Sequence, residues 1–167
     1  MINFSKNKKI SKLSFTTKKF LQFYNWRNCS PSKSVNFSKK LSNSKVAIIS
    51  SAGLVIRESQ KPFNSSIKMG DSSYRTIPSS IKVEELEEHH KSNTFDHSGV
   101  QSNPFSVMPI NHLKSLDKEG FIDSLSNQHI SVMGSIVDPS KLIKNTIPKI
   151  TSILKKDNVD IALLIPV

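Results

Sequence analysis

The chain has 167 residues, 36% of them hydrophobic, a formal net charge of +11 and a single cysteine. That length suffices for one domain with a real core, while the lone Cys29 excludes an internal disulfide and a cysteine-built zinc site. No run of 18 apolar residues and no apolar signal core is present, so the expectation is a soluble cytoplasmic protein with no membrane partner.

The charge is unevenly placed. Residues 1 to 45 hold ten Lys and one Arg and no acidic residue, which accounts for the entire +11. Residues 1–44 therefore read as a basic, poorly ordered arm and 45–167 as a near-neutral folded body. Phe4, Phe15, Phe20, Phe23, Tyr24, Trp26 and Phe37 are interleaved with the lysines. Such a mixture can track a phosphate backbone and stack bases, or lie on an anionic membrane, and its lack of acid also resembles a transit peptide. With no nucleic-acid-binding module behind it, local packing on the body or a partner is the favoured reading. A binding protein that uses the arm to hold nucleic acid or an acidic partner is the alternative to the enzymatic reading below. Cys29 sits near Arg27 and Lys33, which favour a thiolate, yet a lone arm cysteine is read as incidental.

Order is expected from Lys45. "KVAIISS" reads as a buried strand, and Gly53 supplies the turn after it. Residues 57 to 80, with Pro62, Gly70 and Pro78, read as a long connection. "IKVEELEEHH" fits a strand or a short helix equally, and "FSVMPI" reads as a short strand closed by Pro109. A helix should run from about Pro109 to Glu119, stopped by Gly120. "HISVMGS" is another strand. Asp138 and Pro139 then form an N-cap and first-turn pair for a long helix with Leu142, Ile143, Ile147, Ile150, Ile153 and Leu154 on one face, kinked at Pro148. "VDIALLIPV" closes the chain as a near-continuous apolar strand of the kind buried on both faces of a parallel sheet. The expectation is an α/β layered fold, a mostly parallel sheet with flanking helices, incomplete at its carboxyl end.

Five blocks, "VAIISSAGL" (46–54), "GDSSYRTIP" (70–78), "FDHSG" (95–99), "NHLKSLDKEGFIDSLSNQHISVMGSI" (111–136) and "NVDIALLIPV" (158–167), occur in this order. Together they resemble the selenoprotein B family of glycine, betaine, sarcosine and D-proline reductases, from about residue 25 to the end. The resemblance implies a reductase subunit for cleavage of a carbon–nitrogen bond beside a carboxylate in a small amino-acid or betaine substrate. It also implies other reductase subunits as partners, one bearing a pyruvoyl group, and a thioredoxin-like source of electrons.

In that family the strand matching "IALLIPV" is followed by a redox motif with selenocysteine or cysteine, so no catalytic nucleophile is expected within these residues. Selenocysteine is encoded by UGA, and reading that codon as a stop would end the chain near Val167. Truncation at selenocysteine is therefore the expectation, with a frameshift or decayed gene as the other possibility, and the 167 residues alone should be inactive.

Candidate site residues follow from chemistry and from the blocks. His89, His90, Asp96 and His97 crowd into nine positions; Asp96 and His97 are candidates for acid–base work, while no zinc-motif spacing supports a metal. Arg75 could pair with a substrate carboxylate through its planar fork, or brace its own loop. His129, Met133, Gly134 and Ser135 lie along "HISVMGS", whose carboxyl end would face a binding crevice in an open sheet.

Overall fold

A computed structural model describes residues 14–23, 34–93 and 95–167. The chain divides into two compact units, Met1–Phe37 and Ser38–Val167. In the first, Phe15–Phe23 forms a helix, α1, and Ser14 Oγ accepts the Thr17 N–H at 3.2 Å as its cap. Phe4, Tyr24, Trp26 and Cys29 lie outside the described residues.

The second unit is built on β1 (Lys45–Ser50), whose Val46, Ala47, Ile48 and Ser50 are all buried. β1 is flanked on both edges, the position that a near-continuous apolar run suits. On one side it pairs in parallel with β7 (Ile161–Ile165), from Val46↔Ile161 to Ser50↔Ile165. Its other partners, also parallel, are β5 (Ser124–Leu125) and then β6 (Gln128–Val132). β3 (Tyr74–Pro78) completes the five-stranded sheet by pairing antiparallel with β6. The sheet is thus mostly parallel, with helices between its strands, and the α/β fold is as expected.

Several local expectations change. The supposed 57–80 connection contains β3, whose Arg, Thr and Pro mimic loop composition, because an antiparallel edge strand tolerates such residues. Residues 83–88 combine both readings, a 3₁₀ turn at Val83–Glu85 and then β4 (Leu86–Glu88), which pairs antiparallel with β2 (Leu54–Ile56). "FSVMPI" is not a strand. Pro104–Ser106 is a 3₁₀ turn, and the Val107 and Met108 N–H groups both donate to the Pro104 carbonyl, so the apolar pair is buried by a turn.

Helix α2 spans His97–Ser102, and α3, Ile110–Lys118, falls where periodicity places it. The long helix also forms, starting with Ser140 N–H donating to Asp138 Oδ1 at 2.9 Å. Instead of a simple kink it widens into a π-helical stretch at Leu142–Thr146 and resumes as α4, Ile147–Lys156. That widening lies one turn before Pro148, where the ring crowds the helix and its missing N–H leaves the ladder incomplete.

β7 is not buried on both faces. Ile161 and Ile165 pack against the core, but Leu163 is 40% and Leu164 65% exposed. Successive side chains point to opposite faces, so the face of Ala162 and Leu164 is uncovered and the face of Ile161 and Ile165 is only partly covered at Leu163.

Candidate functional site

In a parallel sheet, binding crevices form beyond the carboxyl ends of the strands. Here β7 leads into Val167, which Ser51, the residue just after β1, holds by two contacts. The Val167 N–H donates to Ser51 Oγ at 2.9 Å, and the hydroxyl donates to the Val167 carbonyl at 3.4 Å. Beside them opens a cavity of about 590 Å³ lined by His90, Phe95, Asp96, Ser135 and Val167 among others.

The segment after β4 builds one side of this cavity. The Glu88 side chain is only 3% exposed and its carboxylate accepts twice, from the His90 backbone N–H and from His97 Nδ1 at 2.7 Å. His97 Nε2 faces the Ser92 carbonyl at 3.0 Å. Both ring nitrogens of His97 therefore meet acceptors, an arrangement that only the doubly protonated ring satisfies fully. The hydrogen bond to Glu88 accordingly raises the His97 pKa above its ordinary value.

Asp96 is the N-cap of α2. Its Oδ1 accepts from Gly99 N–H at 3.0 Å and Ser98 Oγ at 2.8 Å, and the Gly99 bond is the main influence holding its pKa below the usual range. Phe95 stacks between the two imidazoles, 4.3 Å from His90 and edge-on to His97 at 5.2 Å.

His90 is 8% exposed, and its Nδ1 accepts the Ser92 N–H at 3.2 Å. In the neutral ring the proton then sits on Nε2, which has no hydrogen-bond partner. Burial lowers the His90 pKa, favouring that neutral form. Two glycines make the placement possible. At Gly53 (φ +68°) a Cβ would press on the His89–His90 backbone, and at Gly134 a Cβ would collide with His90 Nε2.

Of the residues singled out in the sequence, Asp96 and Ser135 line the cavity and Gly134 abuts His90, while His97 stands behind with both nitrogens engaged. The others lie elsewhere. Arg75 is spent on its own loop, donating to the Lys61, Pro62 and Tyr74 carbonyls and to Ser73 Oγ, with its guanidinium 4.3 Å over the Phe63 ring. Met133 is fully buried with Val55 and Phe63.

His129 is also fully buried, and accepts the Ile48 N–H within the sheet. The sequence pointed to the His pair without separating its members; the signal that distinguishes His90 is its pairing with Gly134. Among the described residues no group of three or more His, Cys, Asp or Glu could hold a metal ion, and no helix is long and apolar enough to cross a membrane.

A sequence model of glycine/sarcosine/betaine reductase selenoprotein B (GRDB) matches residues 7–166. The chain belongs to that family. It is 33% identical over 127 residues to the D-proline reductase subunit gamma of Acetoanaerobium sticklandii, a match covering 76% of this chain and 50% of the relative. The chain thus spans about half the length of the curated relative it matches. No solved structure matches it. Five short blocks in order were sufficient to identify the family, and the match covers nearly the whole chain.

Proposed function

We propose that this protein is the amino-terminal part of a reductase subunit that cleaves a carbon–nitrogen bond in a glycine, betaine, sarcosine or D-proline type substrate, and that its coding sequence is interrupted at a UGA selenocysteine codon. The observation that carries the reading is the docking of Val167 by Ser51 at the mouth of the His90 cavity. A redox motif following Val167 would emerge against that cavity. The uncovered side of β7 and the half-length match to the D-proline reductase subunit support the same reading.

The chemistry consumes two electrons and two protons per bond cleaved. An ionised selenol or thiol attacks the carbon and displaces the amine, which departs with one proton; a second thiol then attacks the selenium or sulfur of the adduct, the carbon leaves with the other proton, and the pair of thiol or selenol groups becomes a disulfide or selenenyl sulfide. A thioredoxin-like donor would restore the reduced pair, and another subunit, carrying a pyruvoyl group, would capture the amine. A cytoplasmic setting suits this thiol chemistry.

The test is to read the gene beyond the Val167 codon. A UGA followed by an open frame with a nearby cysteine codon and a further α/β stretch is the expected result. A UAA or UAG, or a frame that breaks at once, overturns the reading.

A further inference from the structure

Helix α2 stands between two empty spaces. The His90 cavity, about 590 Å³, reaches Gly99, Val100 and Asn103, while a second cavity of about 460 Å³ reaches Val100, Gln101 and Pro104. Val100 is the buried residue among the six of α2, so little apolar packing holds the helix in place. The chain on either side is better anchored. His90 lies against Gly134 and gives its backbone N–H to Glu88, and beyond Pro104 the side chains of Val107 and Met108 are buried.

The clasp at the first residue of α2 therefore decides where the helix sits. His97 Nδ1 meets Glu88 Oε2 at 2.7 Å and Nε2 meets the Ser92 carbonyl at 3.0 Å. A neutral imidazole has one N–H and one lone pair, and in either tautomer that lone pair faces one of these oxygens. One of the two contacts then becomes repulsive. The ionisable groups facing the ring are Glu88 from β4, and Asp96 and His90 from the segment leading into α2. Asp96 favours the imidazolium as Glu88 does, and burial keeps His90 neutral. Neither the rest of α2 nor the Pro104–Ser106 turn carries an ionisable side chain.

From this arrangement we infer that α2 is a proton-held wall of the His90 cavity: with both His97 nitrogens protonated it is clasped to Glu88 and Ser92, and loss of one proton frees it to move into the space on either side. Asp96, Gly99 and Val100 move with it, so the shape of the cavity follows the protonation of a single imidazole. The bond to Glu88 raises the His97 pKa, so the hold is complete below about pH 6.5 and is lost as pH rises through the raised value. Every group involved lies within the described residues, and the reductase reading is not needed.

Amide hydrogen exchange of the 167-residue chain, followed by NMR and corrected for the intrinsic effect of pH on exchange, reads this motion. The Val100 and Asn103 amides donate to the Asp96 and Gly99 carbonyls. Their protection should fall about fivefold between pH 6 and pH 8.5, the scale of a partly exposed ion pair, while that of Leu113 in α3 and of Ser126 beside β1 stays level. His97→Gln, which has no titrating ring, should abolish the pH dependence. Glu88→Gln, which keeps an acceptor for the His90 N–H, should reduce it. A level profile at Val100 and Asn103, or an equal fall at Leu113 and Ser126, overturns the inference. So does a fall that persists in His97→Gln or is undiminished in Glu88→Gln, since another group would then be moving the helix.

Discussion

His129 Nδ1 accepts the backbone N–H of Ile48 at 3.1 Å, a side chain standing in for a missing strand residue. β1 pairs with β5 through Val46↔Leu125 and with β6 from Ile49↔Ile130, so the Ile48 N–H falls where the ladder changes partner. The opposite ring nitrogen meets Ser79 Oγ at 3.0 Å, and that hydroxyl also contacts the Ser126 carbonyl. His129→Leu keeps bulk but orphans the Ile48 N–H, at a cost of about 1–3 kcal/mol. Urea denaturation should show that loss; an unchanged midpoint would mean that the sheet closes the gap without the imidazole.

Burial also lowers the His129 pKa to about 4, from 6.5. A folded pKa below the unfolded one means that the unfolded chain binds the extra proton. The stabilisation is complete above about pH 6.5 and declines as pH falls to about 4, by on the order of 3 kcal/mol. His97 acts with the opposite sign, its raised pKa giving stability below pH 6.5 that is lost as pH rises through the folded value. Comparing the wild type with His129→Gln between pH 7 and pH 4 isolates the first effect. The difference between them should shift steadily across that window, and a constant difference would place His129 in a titrating, water-reached position.

Glu88 is the anchor of the segment that carries His90. Glu88→Gln removes the negative charge opposite His97 Nδ1 while preserving an acceptor for the His90 N–H. The His97 pKa should fall toward its ordinary value, read by NMR titration of the imidazole. No change on substitution would show that Ser92 and Asp96, the weaker influences, are sufficient to hold the proton.

Gly134→Ala tests the other constraint on His90. The added methyl meets Nε2, so the imidazole or the end of β6 must move, with an overpacking cost of about 1–3 kcal/mol. The His90 ring resonances should shift strongly, whereas those of His129 should not. Unchanged His90 signals would show that the ring does not rest on Gly134.

How far the sequence carried depends on which physics decides each element. Hydrophobic runs and capping residues place β1, β6, α3 and the Asp138 helix start directly, because local pattern and tertiary fold agree there. β3 and the Pro104 turn escaped it, since Thr76 in an edge strand and Val107 and Met108 in a tight turn owe their states to the partners that cover them. The site divides in the same way. Asp96 and Ser135 belong to recognisable blocks, but the choice of His90 over His97 needs three-dimensional information: which imidazole has both nitrogens bonded and which has one left over.

The open side of β7 offers a test that separates this chain from a longer one. Leu164 is 65% exposed and the edge of β7 away from β1 has no pairing strand among the described residues. In the 167-residue chain Leu164→Lys should change stability by no more than about 0.5 kcal/mol, as expected for a surface position. It should also reduce self-association, because an apolar, unpaired strand edge is a template for pairing with other chains. Sedimentation of both proteins over a range of concentrations reads the second effect. In a protein that continues past Val167 and covers this face, the same substitution would bury an unpaired charge and cost several kcal/mol. A large loss in the short chain would instead place Leu164 under cover already and remove the case for a missing layer.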